Sequence, residues 1–66
     1  MIKPDVKPTV KLIGEDGNAY AIMGRVSNAL KKAGADQEYI NKYTEESTSG
    51  DYGHLLRTAM KYADVE

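Results

Sequence analysis

The strongest constraint on the fold is an amphipathic repeat between Asn18 and Gly34. Asn18 is a favourable N-cap, because its side chain accepts a hydrogen bond from a backbone N–H that lacks a partner within the helix. Gly34 suits the left-handed C-cap. The sequence therefore predicts a helix over residues 18–33. Its apolar residues recur at steps of three and four, as on one face of a helix: Ala19, Ile22, Met23, Val26, Leu30 and Ala33.

Two further helices are predicted in the second half of the chain. One covers residues 37–47 and follows Asp36, another favourable N-cap. The other covers residues 51–63 and carries a second apolar stripe at helical spacing. The predicted core combines apolar residues of all three helices: Ile22, Met23, Val26, Leu30, Ile40, Tyr43, Leu55, Leu56 and Met60.

The N-terminal residues have a different pattern. Two prolines favour extended backbone, so residues 1–8 are predicted to form an extended arm. Val10 and Leu12 then alternate with their neighbours, which predicts a strand over residues 9–13. A single strand leaves backbone groups unpaired. Three arrangements stay open: the arm folds back onto the strand, a second copy pairs with it, or the segment docks on the helices without pairing.

The length and composition predict a single small domain over residues 1–66. Its fold is expected to be mainly α, with a short N-terminal β-strand followed by a compact three-helix domain. A chain of this size buries only about 60% of the surface that its unfolded form exposes. It contains no Cys, so neither a disulfide nor a thiolate metal site adds stability. Oligomerisation is the remaining common remedy, and a homodimer is therefore expected.

The charges give little indication of a partner. The net charge is −1, which does not favour nucleic acid or an anionic membrane. Basic residues concentrate in residues 1–34 and acidic ones in residues 35–66. This asymmetry is either ordinary solvated surface or a basic half that meets an acidic partner or a second copy. No apolar run approaches the ~20 residues of a membrane span and no signal-peptide pattern opens the chain, so we expect no membrane partner and a cytoplasmic location.

The residues that usually carry chemistry are few. His54 is the single histidine, which excludes a multi-His metal site within one chain. Ser49 and Asp51 are close to it in sequence, but both are better explained as helix caps than as members of a catalytic triad. The turn predicted at residues 14–17 lacks the Lys of a phosphate-binding loop and the ligand spacing of a calcium loop. We therefore predict no enzyme activity and no catalytic, cofactor-binding or metal-binding residue.

The leading functional hypothesis is a non-enzymatic protein–protein interaction module whose partner is a second copy or another protein. Val10 and Leu12 are predicted interface residues because their strand lacks a partner. Gly24 is a third. A glycine in a helix interior costs about 1 kcal/mol relative to Ala, and close approach by another helix or chain would explain it. The alternative interpretation is a tolerated, exposed glycine.

The second hypothesis is a DNA-binding regulator. A short strand followed by helices, in a small dimer, is similar to ribbon-helix-helix repressors, whose paired strands enter the major groove. That similarity implies nucleic-acid contacts at Thr9, Lys11 and Arg25. The last two helices are equally compatible with a helix-turn-helix. The negative net charge and the third helix argue against this hypothesis.

Two runs of the sequence carry a further resemblance. Residues 10–34, VKLIGEDGNAYAIMGRVSNALKKAG, and residues 48–62, TSGDYGHLLRTAMKY, resemble a family of short bacterial and phage-type proteins of unknown function. The resemblance covers roughly residues 9–66. It implies a small intracellular prokaryotic protein and supplies no activity or ligand.

Overall fold

A computed structural model describes residues 1–11 and 19–66 of the chain. Within these ranges the fold is mainly helical, and its three helices pack together behind a short N-terminal strand. This confirms the predicted fold class. The elements in chain order are β1 (Thr9–Val10), α1 (Ala19–Lys32), α2 (Gln37–Ser47), α3 (Tyr52–Tyr62) and β2 (Asp64–Val65).

Several predictions fall on residues that lie outside the described ranges. These are the end of the strand predicted over residues 9–13, the turn at residues 14–17, the interface residue Leu12 and the N-cap Asn18. In the described part of that segment, β1 includes Thr9 and Val10 and does not extend to Lys11.

The helix ends follow from local side-chain chemistry. Asp36 accepts a 2.9 Å hydrogen bond from the Tyr39 backbone N–H at the start of α2, and this bond lowers the pKa of the Asp36 carboxyl group. The end of α1 is a Schellman motif, in which Ala35 N–H donates to the Leu30 carbonyl and Gly34 N–H donates to that of Lys31. Gly34 has the positive φ of 104° that this motif requires.

The partner of β1 is the C-terminal strand β2, which runs parallel to it. Thr9 lies opposite Asp64, and Val10 lies opposite Val65. The Asp64 N–H donates to the Pro8 carbonyl at 2.7 Å, and the Glu66 N–H donates to the Val10 carbonyl at 2.9 Å. The pairing is therefore within one chain, which the sequence left open, but the partner is the C-terminal strand and not the N-terminal arm.

The core lies where the three helices meet beneath the two strands. The Tyr62 ring packs edge-on against Tyr43, with 5.1 Å between the ring centroids. Met60 is 53% exposed, so its assignment to the core was wrong. The face of α3 that points inward also includes Tyr62, two positions further on. The buried hydrophobic residues are Val10, Ile22, Val26, Leu30, Ala35, Ile40, Tyr43, Leu55, Ala59, Tyr62 and Ala63.

The predicted core residues Met23 and Leu56 are partly buried and pack at the edge of this core. The N-terminal arm is attached by a hydrogen bond from the Asp36 N–H to the Ile2 carbonyl at 3.1 Å. None of the helices within residues 1–11 and 19–66 has the length and apolar character needed to cross a bilayer.

Candidate interaction surfaces

A groove with several basic residues runs between β1 and α1; we call it the basic groove. Its volume is about 340 Å³. The α1 wall is a single face of the helix, because its residues are spaced i, i+3, i+4 and i+7. Among the described residues that line the groove none is acidic. They are Thr9, Val10, Lys11, Arg25, Asn28, Ala29 and Lys32.

The basic groove brings together the three residues that the DNA-binding hypothesis singled out, Thr9, Lys11 and Arg25. Sequence reasoning did not include Asn28 or Lys32, although both share the helical spacing of Arg25 and were identifiable from it. The groove therefore carries three cationic side chains from two elements that are distant in sequence.

The side chain of Val10, a predicted interface residue, points away from solvent. It is only 5% exposed and packs into the chain's own core. Its backbone carbonyl accepts a hydrogen bond from the N–H of Glu66, the residue after β2. Val10 therefore supports the fold of a single chain and offers little side-chain surface to a partner.

A second, more apolar groove lies where the start of α1 meets the end of α2 and the start of α3; we call it the tyrosine groove. Its volume is about 310 Å³. Tyr20 stands beside it with 84% of its surface exposed, the largest exposed fraction among the apolar side chains of the described residues. The lining residues are Ala19, Tyr20, Met23, Ser47, Thr48, Gly50, Asp51, Tyr52 and Leu55.

Gly24 lies one helical turn after Tyr20, on the same side of α1. The residue is exposed. A Cβ atom built on Gly24 would have no atom within 4 Å, its own helix backbone apart. No element of the described chain therefore approaches Gly24, and the surface beside Tyr20 is open at this point.

Glu46 joins the C-terminal half of α2 to the end of α3. Its carboxylate accepts hydrogen bonds from Lys61 Nζ and from the Tyr62 phenol, each 2.5 Å long. The bonds from Lys61 and then Tyr62 lower the pKa of Glu46. Burial, together with the Glu46 carboxylate, raises the pKa of Tyr62. These shifts are those of a structural ion pair and do not mark a reactive group.

His54 has a structural role in this geometry. Its Nε2 lies 2.8 Å from the Glu46 carbonyl and 3.1 Å from Ser49 Oγ. A carbonyl oxygen only accepts, so Nε2 carries the proton and cannot act as a base toward Ser49. Asp51 accepts from the His54 backbone N–H and not from its ring. The three residues therefore close the α2–α3 junction and are not arranged as a catalytic triad.

Among the described residues no group of three or more His, Cys, Asp or Glu side chains is placed to hold a metal ion. No protein-family model, curated protein or solved structure matches this chain. The resemblance to short bacterial and phage-type proteins therefore stays a prediction.

Proposed function

We propose that this protein is a non-enzymatic protein-interaction module that forms a homodimer through the tyrosine groove. The observation that carries the proposal is the 84% exposure of Tyr20 beside a groove of about 310 Å³. Tyr and Met are enriched at the centres of protein interfaces, where a large side chain fills a pocket on the partner.

The arrangement of this surface suits a two-fold dimer. In such a dimer the same patch is used by both copies, so a projecting side chain and the groove that receives it must lie side by side. Tyr20 and the groove meet that requirement. Gly24, one turn along α1, supports it because a missing side chain there lets a second α1 approach closely.

The size of the chain supplies an independent reason. A 66-residue domain has a core that by itself gives marginal stability, and association buries further apolar surface. The unpaired strand that first suggested dimerisation no longer supports it, because β1 pairs with β2 of its own chain. The support for the proposed dimer therefore comes from the exposed surface of α1 and not from the strand.

The test is the solution mass across a concentration series, measured by light scattering. We expect the wild-type protein to approach twice the monomer mass as concentration rises. Tyr20→Ser is expected to remain monomeric. Met60→Ser is the matched control, because Met60 is also exposed and apolar but does not line the groove. A wild-type protein that stays monomeric at millimolar concentration contradicts the proposal.

A DNA-binding regulator is the second candidate function. The meeting of Thr9, Lys11 and Arg25 in one basic groove favours it. The in-chain pairing of β1 with β2 weakens its ribbon-helix-helix form, since one edge of the strand is already used. The test is the fluorescence anisotropy of a labelled duplex over a salt series, because phosphate contacts weaken steeply as salt rises. The prokaryotic setting stays a prediction from the resemblance, and the cytoplasmic location stays a prediction from the sequence.

A further inference from the structure

The basic groove lies along an open strand edge. Hydrogen bonds from Asp64 and Glu66 reach the carbonyls of Pro8 and Val10, which therefore face β2. Because backbone groups of successive strand residues point to opposite sides, the N–H and C=O of Thr9 face away from β2. β1 and β2 form a two-stranded sheet, and no hydrogen bond to either Thr9 group is present within the described ranges.

The open edge of β1 and the wall formed by α1 both border the basic groove. The groove is lined by β1, Thr9 included, and by α1, but not by β2, and the Thr9 backbone groups also face away from β2. An exposed strand edge is a template for another extended chain. Asn28 on the helix wall has an amide side chain, which can both donate to and accept from such a chain.

The positive charge of the basic groove favours some extended segments over others. Lys11 and Lys32 are exposed at its walls. Arg25 also lines the groove, and none of the described lining residues is acidic. Complementary potentials increase the rate of encounter and disfavour partners of the same charge. A basic segment is therefore rejected, and an acidic one is attracted.

We propose that the basic groove binds an extended, acidic segment of another protein, which adds to the open edge of β1 as a third strand. Strand addition of this kind takes its affinity from backbone hydrogen bonds and its selectivity from side chains along the groove. The basic groove shares no lining residue with the tyrosine groove. The inference is therefore independent of the proposed homodimer and is tested separately.

The backbone groups of Thr9 favour a peptide over a nucleic acid as the occupant. A strand edge presents a donor and an acceptor in alternation, and a peptide in extended conformation matches both. The sugar-phosphate backbone of DNA has only hydrogen-bond acceptors, so it would offer no donor to the Thr9 carbonyl. Sugar and phosphate contacts also need no open strand edge.

The experiment uses an alternating Glu-Val octapeptide with blocked ends as the probe, titrated at low salt into the 66-residue chain. Amide resonances report the site, and fluorescence anisotropy of a labelled copy reports the affinity. Two comparison probes share its length: the Lys-Val peptide, with the opposite charge, and the Glu-Val peptide with alternate backbone nitrogens methylated, which removes donors but keeps the charge. An oligothymidylate is the nucleic-acid arm.

Adjacent lysines on α1 provide a matched pair of variants. Lys32 lines the groove and Lys31 does not. We expect Lys32→Glu to weaken binding of the acidic peptide roughly fivefold, and Lys31→Glu by less than about twofold. The Glu-Val peptide should shift the amides of Thr9, Lys11 and Asn28, whereas the Lys-Val and N-methylated peptides should not.

A variant of the strand edge tests the backbone contact directly. Thr9→Pro removes the outward N–H but keeps the bonds between β1 and β2, and proline is tolerated on edge strands. It is expected to abolish peptide binding, whereas Thr9→Val retains it. Circular dichroism checks that the proline variant is folded, and the N-methylated peptide gives the same information without any change in the protein.

Four outcomes overturn the proposal. Absence of binding to the Glu-Val peptide at low salt removes the site, and undiminished binding of its N-methylated form reduces the site to charge attraction alone. Tighter, salt-dependent binding of the oligothymidylate to the same amides identifies nucleic acid as the occupant. Shifts of those amides with protein concentration alone identify a second copy.

Discussion

The phenol of Tyr62 donates a 2.5 Å hydrogen bond to Glu46 Oε2. The bond joins α2 to α3 at the edge of the core, where Tyr62 is 6% exposed. The same tyrosine packs edge-on against both Tyr39 and Tyr43. Tyr62 thus contributes apolar contact through its ring and a charge-assisted bond through its hydroxyl. Substitutions that remove the hydroxyl alone or the whole side chain should separate these two contributions.

Tyr62→Phe is expected to lower the free energy of unfolding by about 1 kcal/mol, since it keeps the ring and removes the bond to Glu46. Tyr62→Ala should cost about 3 kcal/mol or more, because it also leaves a cavity beside Tyr39 and Tyr43. Urea denaturation followed by circular dichroism measures both. Equal losses for the two variants would mean that the ring contributes nothing beyond the hydroxyl.

The Tyr43 hydroxyl differs from that of Tyr62, because it lacks a hydrogen-bond partner among the described residues. It is buried, and neither it nor Ser47 Oγ has a hydrogen-bond partner within the described ranges. Burial raises the pKa of the Tyr43 hydroxyl, and the nearby Ser47 hydroxyl offsets this in part. Tyr43→Phe removes a buried polar group without a partner, so we expect unchanged or slightly higher stability. A loss as large as that of Tyr62→Phe would reveal a partner for this hydroxyl.

The stability contributed by Glu46 is expected to disappear in acid. The pKa of its carboxyl group lies below the ordinary value of 4.5, mainly because Lys61 and Tyr62 donate to the carboxylate. A group with a lowered pKa in the folded state stabilises the protein above its unfolded pKa, and this contribution is lost as pH falls through the folded pKa. The difference in unfolding free energy between the wild type and Glu46→Gln should be full at neutral pH and shrink below about pH 4.5.

Glu45→Gln is the control for that pH series. Glu45 is the neighbouring residue on α2, and its carboxylate makes no hydrogen bond or ion pair among the described residues. Its substitution should leave the pH dependence of stability close to that of the wild type. If both variants alter it equally, the effect comes from net charge and not from the contacts with Lys61 and Tyr62.

Two glycines should respond to alanine in opposite directions. A Cβ atom at Gly50 would lie 2.8 Å from Cγ of His54, whose ring is held by the Glu46 carbonyl. Gly50→Ala is therefore expected to cost about 1–3 kcal/mol through overpacking. At Gly24 the space is open, and Gly24→Ala should stabilise the monomer by up to about 1 kcal/mol. Thermal unfolding at low protein concentration compares the two.

The helices were predictable because each carries its signals within a few residues. Asp36 and Gly34 cap helices by local hydrogen bonds, and both are readable from residue type alone. The inward face of α3 was harder. Leu56 and Met60 form a stripe beside that of Leu55 and Tyr62, and only tertiary packing decides which of two adjacent stripes is buried.

The pairing of β1 was beyond sequence reasoning for a physical reason. β2 is two residues long and is separated from the end of α3 by one residue, so it contains no alternation from which a strand is recognised. Its pairing joins residues at opposite ends of the chain. The basic groove depends on that pairing. The sequence therefore identified Lys11 and Arg25 as possible nucleic-acid contacts but did not predict that they line one groove.

The proposed dimer is tested most sharply at Gly24, because a Cβ atom placed there has no atom of the described residues within 4 Å, its own helix backbone apart. Gly24→Lys should leave the monomer folded, since Lys has a higher helix propensity than Gly, and abolish association by placing a cation against the second copy. Asn41→Lys adds the same charge at an exposed position of α2 and should retain the dimer. Light scattering over a dilution series distinguishes them, and a Gly24→Lys protein that still dimerises would exclude this face of α1 from the interface.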